Sequence, residues 1–83
     1  SIHDETIQIM ENIKSILNEA QLNFKNVVRS KIYLTDMKNF ESVNKVYDSY
    51  FEKNEEPART TIEVSGLPLG VSVEIDMIAV NYI

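Results

Sequence analysis

The sequence contains no cysteine, so a disulfide framework, a thiol nucleophile and a cysteine-ligated zinc site are all excluded. It has no apolar run near the ~20 residues of a membrane-spanning helix, and no visible secretory signal. Linkers, repeats and low-complexity tracts are also missing, and the length of 83 residues fits one small domain. We therefore expect one intracellular, soluble domain over residues 1–83, of a size that often gains stability by oligomerising.

Basic residues are scarce, at 8 against 13 acidic ones, and the acidic excess lies in the second half. Residues 1–40 carry five basic and five acidic side chains, whereas residues 41–83 carry three basic and eight acidic ones. Proteins that bind nucleic acids normally present a basic stripe that neutralises phosphates. The charge distribution therefore argues against a nucleic-acid partner.

Common catalytic signatures are missing too: there is no G-x-S-x-G, P-loop, dinucleotide fingerprint or EF-hand loop. The single histidine, His3, has no partner at metal-ligand spacing, so we interpret it as a surface residue. Any chemistry must therefore come from residues outside these motifs.

Hydrophobic periodicity predicts two helices and three strands. Apolar residues recur at helical spacing in residues 4–21 and 39–52, and they follow strand patterns in 27–34, 59–64 and 71–80.

The last two predicted strands suggest a hairpin across the G-L-P-L-G turn. In the first strand Val28, Ile32 and Leu34 fall on one face. The odd positions of the final strand are all apolar and should pack under the helices. The even, mainly apolar positions of the preceding strand should then share that side of the sheet. In this arrangement Arg59 would lie on the opposite, polar face with Glu74, and directly across from Asp76.

Arg59 is the side chain in this pattern best suited to chemistry, because its planar guanidinium matches a carboxylate through two hydrogen bonds. The alternative is that it simply pairs with Asp76 or Glu74 across the strands. Glu74 is either a group that orients or deprotonates a water, or a solvated or paired carboxylate, and Asp76 has the same two interpretations. Asn44 interrupts the apolar run of the second helix and is either a ligand-binding amide or a plain surface residue.

Longer runs of the sequence resemble the RidA (YjgF) family. These runs are P-A-R-T-T-I-E-V with G-L-P-L-G-V-S-V-E-I, V-R-S-K-I-Y-L-T-D-M with F-E-S-V-N-K-V-Y-D-S-Y-F, and I-Q-I-M-E-N-I-K-S-I-L. The resemblance implies an α+β, chorismate-mutase-like (YjgF-like) fold with two helices packed on one face of a mixed sheet. It also implies a homotrimer with ligand clefts between subunits. Nothing here matches the family's N-terminal strands, so residues 1–83 are expected to be the C-terminal portion of a RidA-like domain.

The resemblance further implies an activity, the hydrolytic deamination of reactive 2-imino and 2-enamino acids to 2-oxo acids and ammonia. The family's substrate-binding arginine maps onto Arg59, its water-positioning glutamate onto Glu74 and its cleft asparagine onto Asn44. Thr61 replaces a cysteine found in some members, and its hydroxyl is a candidate substrate contact. No cofactor or metal is needed, and the expected ligand is a small 2-imino or 2-oxo carboxylic acid.

Two other functions stay open at this point. Some relatives are described as endoribonucleases (L-PSP) or translation inhibitors, although the acidic second half weighs against nucleic acid. The third interpretation is a non-catalytic trimeric protein that binds small metabolites or acts like a chaperone. The expected location is the cytoplasm, with mitochondria as the alternative, and no membrane partner is expected.

Overall fold

The computed structural model describes residues 1–82 of the chain, and Ile83 lies outside the described residues. Its helices and strands are α1 (Ile2–Glu19), β1 (Val27–Leu34), α2 (Phe40–Asp48), β2 (Ala58–Glu63) and β3 (Val73–Ala79). Every predicted element is therefore present, and the α+β prediction is confirmed. Within residues 1–82 the structure contains no helix of the length and apolarity that crossing a membrane requires.

The first helix begins at Ile2 because the preceding serine caps it. Ser1 Oγ accepts a hydrogen bond from the Asp4 backbone N–H at 3.2 Å, and acidic residues in the first turn favour the positive end of the helix dipole. Met10 and Leu17 are buried along the inner face of α1. The helix therefore packs through the apolar stripe that its sequence predicts.

The sheet has β1 at its centre, in the order β2–β1–β3, with β2 parallel and β3 antiparallel to β1. The predicted hairpin between β2 and β3 is therefore wrong. Because α2 connects β1 to β2, the second strand returns as a parallel neighbour of the first. The next segment then passes the end of β1: Val64 N–H donates to the Leu34 carbonyl at 2.8 Å, and Thr35 N–H donates to the Ser72 carbonyl at 3.2 Å. This crossing delivers β3 to the far side of β1.

The parallel pairing decides which side of β2 faces the helices. Arg59 lies opposite Ser30 and Thr61 lies opposite Ile32. Ser30 and Ile32 are buried beneath the helices, so Arg59 and Thr61 share that side of the sheet. The prediction that the apolar positions of β2 pack there is wrong, since Ile62 points to the other face and is 38% exposed.

A β-bulge near the start of β1 changes a second expectation. The pairing of β1 with β3 shifts register between Val27 and Arg29. Such a bulge interrupts the alternation of side chains. As a result Val27 is buried and Val28 is exposed, whereas the sequence pattern placed Val28 on the same face as Ile32 and Leu34, which are buried.

The core lies between the two helices and one face of the sheet. Its buried members come from α1, α2, β1 and β3: Met10, Ile32, Leu34, Val43, Val46, Tyr47, Val73 and Ile75. The opposite face is uncovered in a single chain and exposes Ile62 and Ile78. The helix-covered face and the open face thus place the side chains of each strand in two different environments.

Candidate functional site

The side chain of Arg59, in β2, points toward α2 and lies against two aromatic rings. The guanidinium carbon is 5.3 Å from the ring centre of Tyr47 and 5.8 Å from that of Phe40. Both distances are within the range of cation–π attraction, which favours arginine over lysine. The side chain is 26% exposed, so the rings orient the guanidinium and still leave part of it accessible to a ligand.

The second helix provides one wall of this site because four of its residues lie on one face. Phe40, Asn44, Tyr47 and Asp48 follow the i, i+4, i+7 and i+8 spacing of a helix stripe. Asn44 Nδ2 donates to Asp48 Oδ2 at 3.3 Å. Asp48 Oδ1 lies 3.9 Å from Arg59 Nη1, which is too long for a hydrogen bond. The contact between Asp48 and Arg59 is therefore electrostatic and leaves this nitrogen free to donate.

Three polar side-chain atoms at this site are buried without a hydrogen-bond partner. They are Arg59 Nη1, Asn44 Oδ1 and Thr61 Oγ1, and they account for all such atoms in the described part of the chain. Each unpaired buried group costs about 1–3 kcal/mol, so folded proteins contain few of them. The three residues are the ones expected to bind substrate. The three atoms are a cationic donor, an acceptor and a hydroxyl that can do both, and the folded chain pairs none of them.

Tyr47 joins this site to the core. Its hydroxyl donates to Ser30 Oγ at 2.8 Å, and both residues are buried. Burial raises the pKa of the Tyr47 phenol above its usual value. The hydrogen bond fixes the ring against which the guanidinium of Arg59 lies.

Glu74 is not part of the Arg59 site within one chain. Glu74 belongs to β3, pairs with Tyr33 of β1 and lies on the open face, whereas Arg59 faces α2. The central strand also separates β2 from β3, which places two strand spacings, roughly 10 Å, between them. The prediction of a shared polar face for Arg59 and Glu74 is therefore wrong.

Asp76 is engaged elsewhere and does not pair with Arg59. It accepts a hydrogen bond from the Tyr33 hydroxyl at 3.1 Å on the open face. Desolvation, with the hydrogen bond and charge of Asp76, raises the pKa of Tyr33. The interpretation that Asp76 or Glu74 consumes Arg59 is wrong, because Asp48 is the carboxylate beside the guanidinium.

Glu74 borders an open groove between α1 and β3. The groove has a volume of about 620 Å³ and is lined by polar and apolar residues of both elements and by apolar residues of the turn before β3. Leu69 lies on its rim, fully exposed and with a positive φ of 61° that leucine rarely adopts. The Glu74 carboxylate is exposed here and can be reached by a molecule outside the chain.

Sequence patterns did not identify Asp48, and they gave Phe40 and Tyr47 only a place in the apolar stripe of α2. A signal for these residues was present in the sequence. Phe40, Tyr47 and Asp48 share one face of the predicted second helix, and a strand–helix–strand order favours two parallel strands beneath that helix. Residues 1–82 contain no group of three or more histidine, cysteine, aspartate or glutamate side chains arranged to hold a metal ion.

Sequence comparison defines the family. The sequence profile described as Endoribonuclease L-PSP matches residues 1–81. A RutC family protein of Aquifex aeolicus is 44% identical over 79 residues, an alignment that covers 94% of this chain and 63% of that protein. The chain belongs to the endoribonuclease L-PSP family, whose solved structures include YjgF and Rid proteins, so the resemblance to the RidA family is confirmed.

Solved structures confirm the fold. Yeast Mmf1 superimposes with a TM-score of 0.92 at 39% identity, over 99% of this chain and 65% of that one. TdcF of E. coli, solved with bound serine, has a TM-score of 0.91 at 30% identity, over 99% of this chain and 66% of that one. The chain spans about 63% of the length of curated relatives such as the Aquifex protein.

Proposed function

We propose that the protein hydrolyses reactive 2-imino and 2-enamino acids to 2-oxo acids and ammonia, as a 2-iminobutanoate/2-iminopropanoate deaminase does. The observation that supports this most is that Arg59, Asn44 and Thr61 each carry a buried polar atom without a hydrogen-bond partner. A cationic donor beside an acceptor and a hydroxyl is complementary to a small acid that carries nitrogen next to its carboxylate. The serine bound in TdcF, a relative, is a ligand of this kind.

The proposed reaction needs positioning and proton transfer only. Arg59 holds the substrate carboxylate, and Glu74 orients a water toward C2 and accepts its proton. As the C2–O bond forms, the electron pair of the C=N bond moves to nitrogen, which takes up a proton and gives a carbinolamine. The hydroxyl proton of the carbinolamine then moves to nitrogen, the C2–N bond breaks, ammonia leaves, and C2 and its oxygen become the carbonyl of the 2-oxo acid. A 2-enamino acid first becomes the imine by taking up a proton at C3 and losing one from nitrogen. The reaction consumes one water and no cofactor.

Glu74 reaches this site from another copy of the chain. Arg59 and Glu74 lie on opposite faces of the sheet, so one chain does not bring them to the same small ligand. We therefore place the reaction in a homotrimer, in clefts where the Arg59 site of one copy meets Glu74 of the next. A cyclic assembly repeats one such contact at every interface. Burial of exposed apolar residues on the open face, Ile62 and Ile78, would stabilise it.

RNA cleavage is the second candidate, because the family's description contains the word endoribonuclease. The net charge of −5 opposes phosphate binding. RNA binding that weakens steeply with added salt would favour this candidate, and binding that is absent or insensitive to salt would count against it.

Binding without turnover is the third candidate, as the structure of TdcF with serine illustrates for a relative. Measuring ligand binding and turnover on the same preparation separates it from the hydrolase. The proposed location is the cytoplasm, and the relative Mmf1, described as mitochondrial, makes mitochondria the alternative.

The hydrolase is tested by following the formation of 2-oxobutanoate from imine that a pyridoxal-phosphate dehydratase generates in the cuvette. Loss of the charge-assisted contact in Arg59→Ala should lower kcat/KM about 10- to 100-fold. Arg59→Lys keeps the charge without the planar fork, so its kcat/KM should lie between those of the wild type and Arg59→Ala. Lys14→Ala is the control, because it removes a positive charge from an exposed position of α1, away from both Arg59 and the open face, and should keep wild-type activity. Equal rates for wild type and Arg59→Ala would refute the assigned role.

A further inference from the structure

Asp48 places a fixed negative charge at the edge of the Arg59 site. It is the last residue of α2, and its Oδ1 lies 3.9 Å from Arg59 Nη1. The other carboxylate oxygen accepts from Asn44 Nδ2 at 3.3 Å, which restrains the side chain. The carboxylate is about half exposed, and it does not hydrogen-bond the guanidinium. A ligand carboxylate that binds Arg59 therefore does so beside an anion that stays in place.

Asp48 also decides which end of the Asn44 amide faces the ligand. A carboxylate only accepts hydrogen bonds, so the Asn44 amide must present its NH₂ group to Asp48. The carbonyl oxygen is then left without a partner, as observed for Oδ1. Next to the carboxylate-binding guanidinium, the site thus presents one acceptor and one negative charge. Both favour a ligand group that donates hydrogen bonds and carries positive charge.

We propose that Asp48 sets the charge specificity of this site. It favours acids with a protonated nitrogen on C2, as in a 2-iminio or 2-amino acid, over 2-oxo acids, which carry negative charge only. This inference rests on the proposed function, since it takes the Arg59 site to be the site of the ligand carboxylate.

The specificity has a direct consequence for turnover. When hydrolysis replaces nitrogen by oxygen, the ligand loses the N–H donor that pairs with Asn44 and the positive charge that balances Asp48. A site built for a hydrogen-bond donor discriminates against an analogue without one, because its own acceptor is then left unpaired. The 2-oxo acid product is therefore bound less tightly than the substrate and leaves the site.

The test compares two ligands of the same size that do not react, 2-aminobutanoate and 2-oxobutanoate. Their Kd values are measured by calorimetry on the protein expressed from its complete coding sequence. Asp48→Asn removes the charge but still accepts from Asn44. We expect it to bind 2-oxobutanoate about two- to fivefold more tightly and 2-aminobutanoate no more tightly, in line with the strength of half-exposed charge pairs.

Two further variants and one measurement on the wild type control the result. Glu19→Gln makes the same change in net charge at the exposed end of α1, which packs against α2 and β3, and should leave the Kd ratio unchanged. Asp48→Glu keeps the charge and should retain most of the wild-type ratio. Added salt should weaken the wild-type preference for 2-aminobutanoate, because salt screens exposed charges.

An unchanged Kd ratio in Asp48→Asn, or an equal shift for both ligands, would overturn the proposal. Failure of the wild type to bind either ligand would overturn it together with the assignment of Arg59 as carboxylate site. A shifted ratio without any turnover of imine would instead refute the hydrolase and leave the charge specificity standing.

Discussion

Replacement of Tyr47 by phenylalanine removes a single hydroxyl at the point where the core meets the site. That hydroxyl donates to Ser30 Oγ at 2.8 Å, between residues that are 1% and 0% exposed. The ring, which lies 5.3 Å from the Arg59 guanidinium, is retained. We therefore expect Tyr47→Phe to lower the free energy of unfolding without weakening the binding of a carboxylate ligand.

The magnitude follows from the burial of Ser30. Loss of the tyrosine hydroxyl leaves the serine oxygen in the core without this partner, at a cost of about 1–3 kcal/mol. For a domain of this size, ~1 kcal/mol corresponds to a change of about 4–8 °C in Tm. Ser30→Ala should be similarly costly, because it leaves the Tyr47 hydroxyl unpaired. The double variant removes both groups and should lose clearly less than the sum of the two single variants.

The assay is thermal unfolding of the four proteins at one fixed concentration, since the Tm of an oligomer depends on concentration. Binding of 2-oxobutanoate is measured in parallel. A Tm for Tyr47→Phe within ~2 °C of wild type, or strictly additive losses in the double variant, would refute the buried hydrogen bond as a stabilising contact. A large loss of ligand affinity in Tyr47→Phe would show that the hydroxyl, and not only the ring, acts in the site.

Two further predictions concern single side chains. Thr61→Val replaces a buried hydroxyl that has no hydrogen-bond partner by a methyl group, so the free energy of unfolding should rise by about 1 kcal/mol while the affinity for 2-oxobutanoate falls. Chemical denaturation measures the stability and calorimetry measures the affinity. A loss of stability would contradict the reasoning. Burial, with a 2.6 Å hydrogen bond from its hydroxyl to Glu11, raises the pKa of Tyr50 to about 12. Because this lies above the value of about 10 in the unfolded chain, the stabilising effect is complete below about pH 10 and is lost as pH rises toward 12. In Tyr50→Phe the free energy of unfolding should therefore fall less steeply with pH over that range. The same pH dependence as in the wild type would contradict the raised pKa of Tyr50.

Positions of the helices and strands could be predicted because apolar periodicity is a local property. The first strand is found at the predicted residues, 27–34. The second helix ends at Asp48, although its pattern predicts a helix to residue 52. Past its end, Tyr50 N–H donates to the Tyr47 carbonyl and Phe51 N–H to the Asp48 carbonyl, so i to i+3 turns continue a nearly helical path. The apolar spacing therefore persists beyond the α-helix itself.

Strand pairing could not be predicted in the same way, because alternation separates two faces of a strand without identifying the covered one. In β2 the apolar side carries Ile62 and the polar side carries Arg59 and Thr61. Hydrophobicity alone assigns Ile62 to the core, yet parallel pairing with β1 directs Arg59 and Thr61 beneath α2. The sequence order of strand, helix and strand was the signal for this pairing.

The candidate site shows the same division between local and long-range information. The residue pattern singled out Arg59 and Asn44 as candidates, and the family resemblance assigned their roles and added Thr61. The same three residues carry the unpaired buried atoms. The role of Asp48 depends on how α2 packs over β2, which no pattern within either element encodes. The separation of Glu74 from Arg59 likewise follows from strand order, which the predicted hairpin got wrong. The proposed cleft between copies would bring the two side chains together.

The most direct test of this account mixes two variants that each lack one member of the proposed catalytic pair, Arg59→Ala and Glu74→Gln. If every cleft takes Arg59 from one copy and Glu74 from the next, random mixing in equal amounts gives an intact pair in about a quarter of the clefts. Co-expression of the two variants, with mixed assembly verified by native mass spectrometry, should therefore restore about a quarter of the wild-type imine hydrolysis. Mixed oligomers with no more activity than the separate variants would contradict a site shared between copies.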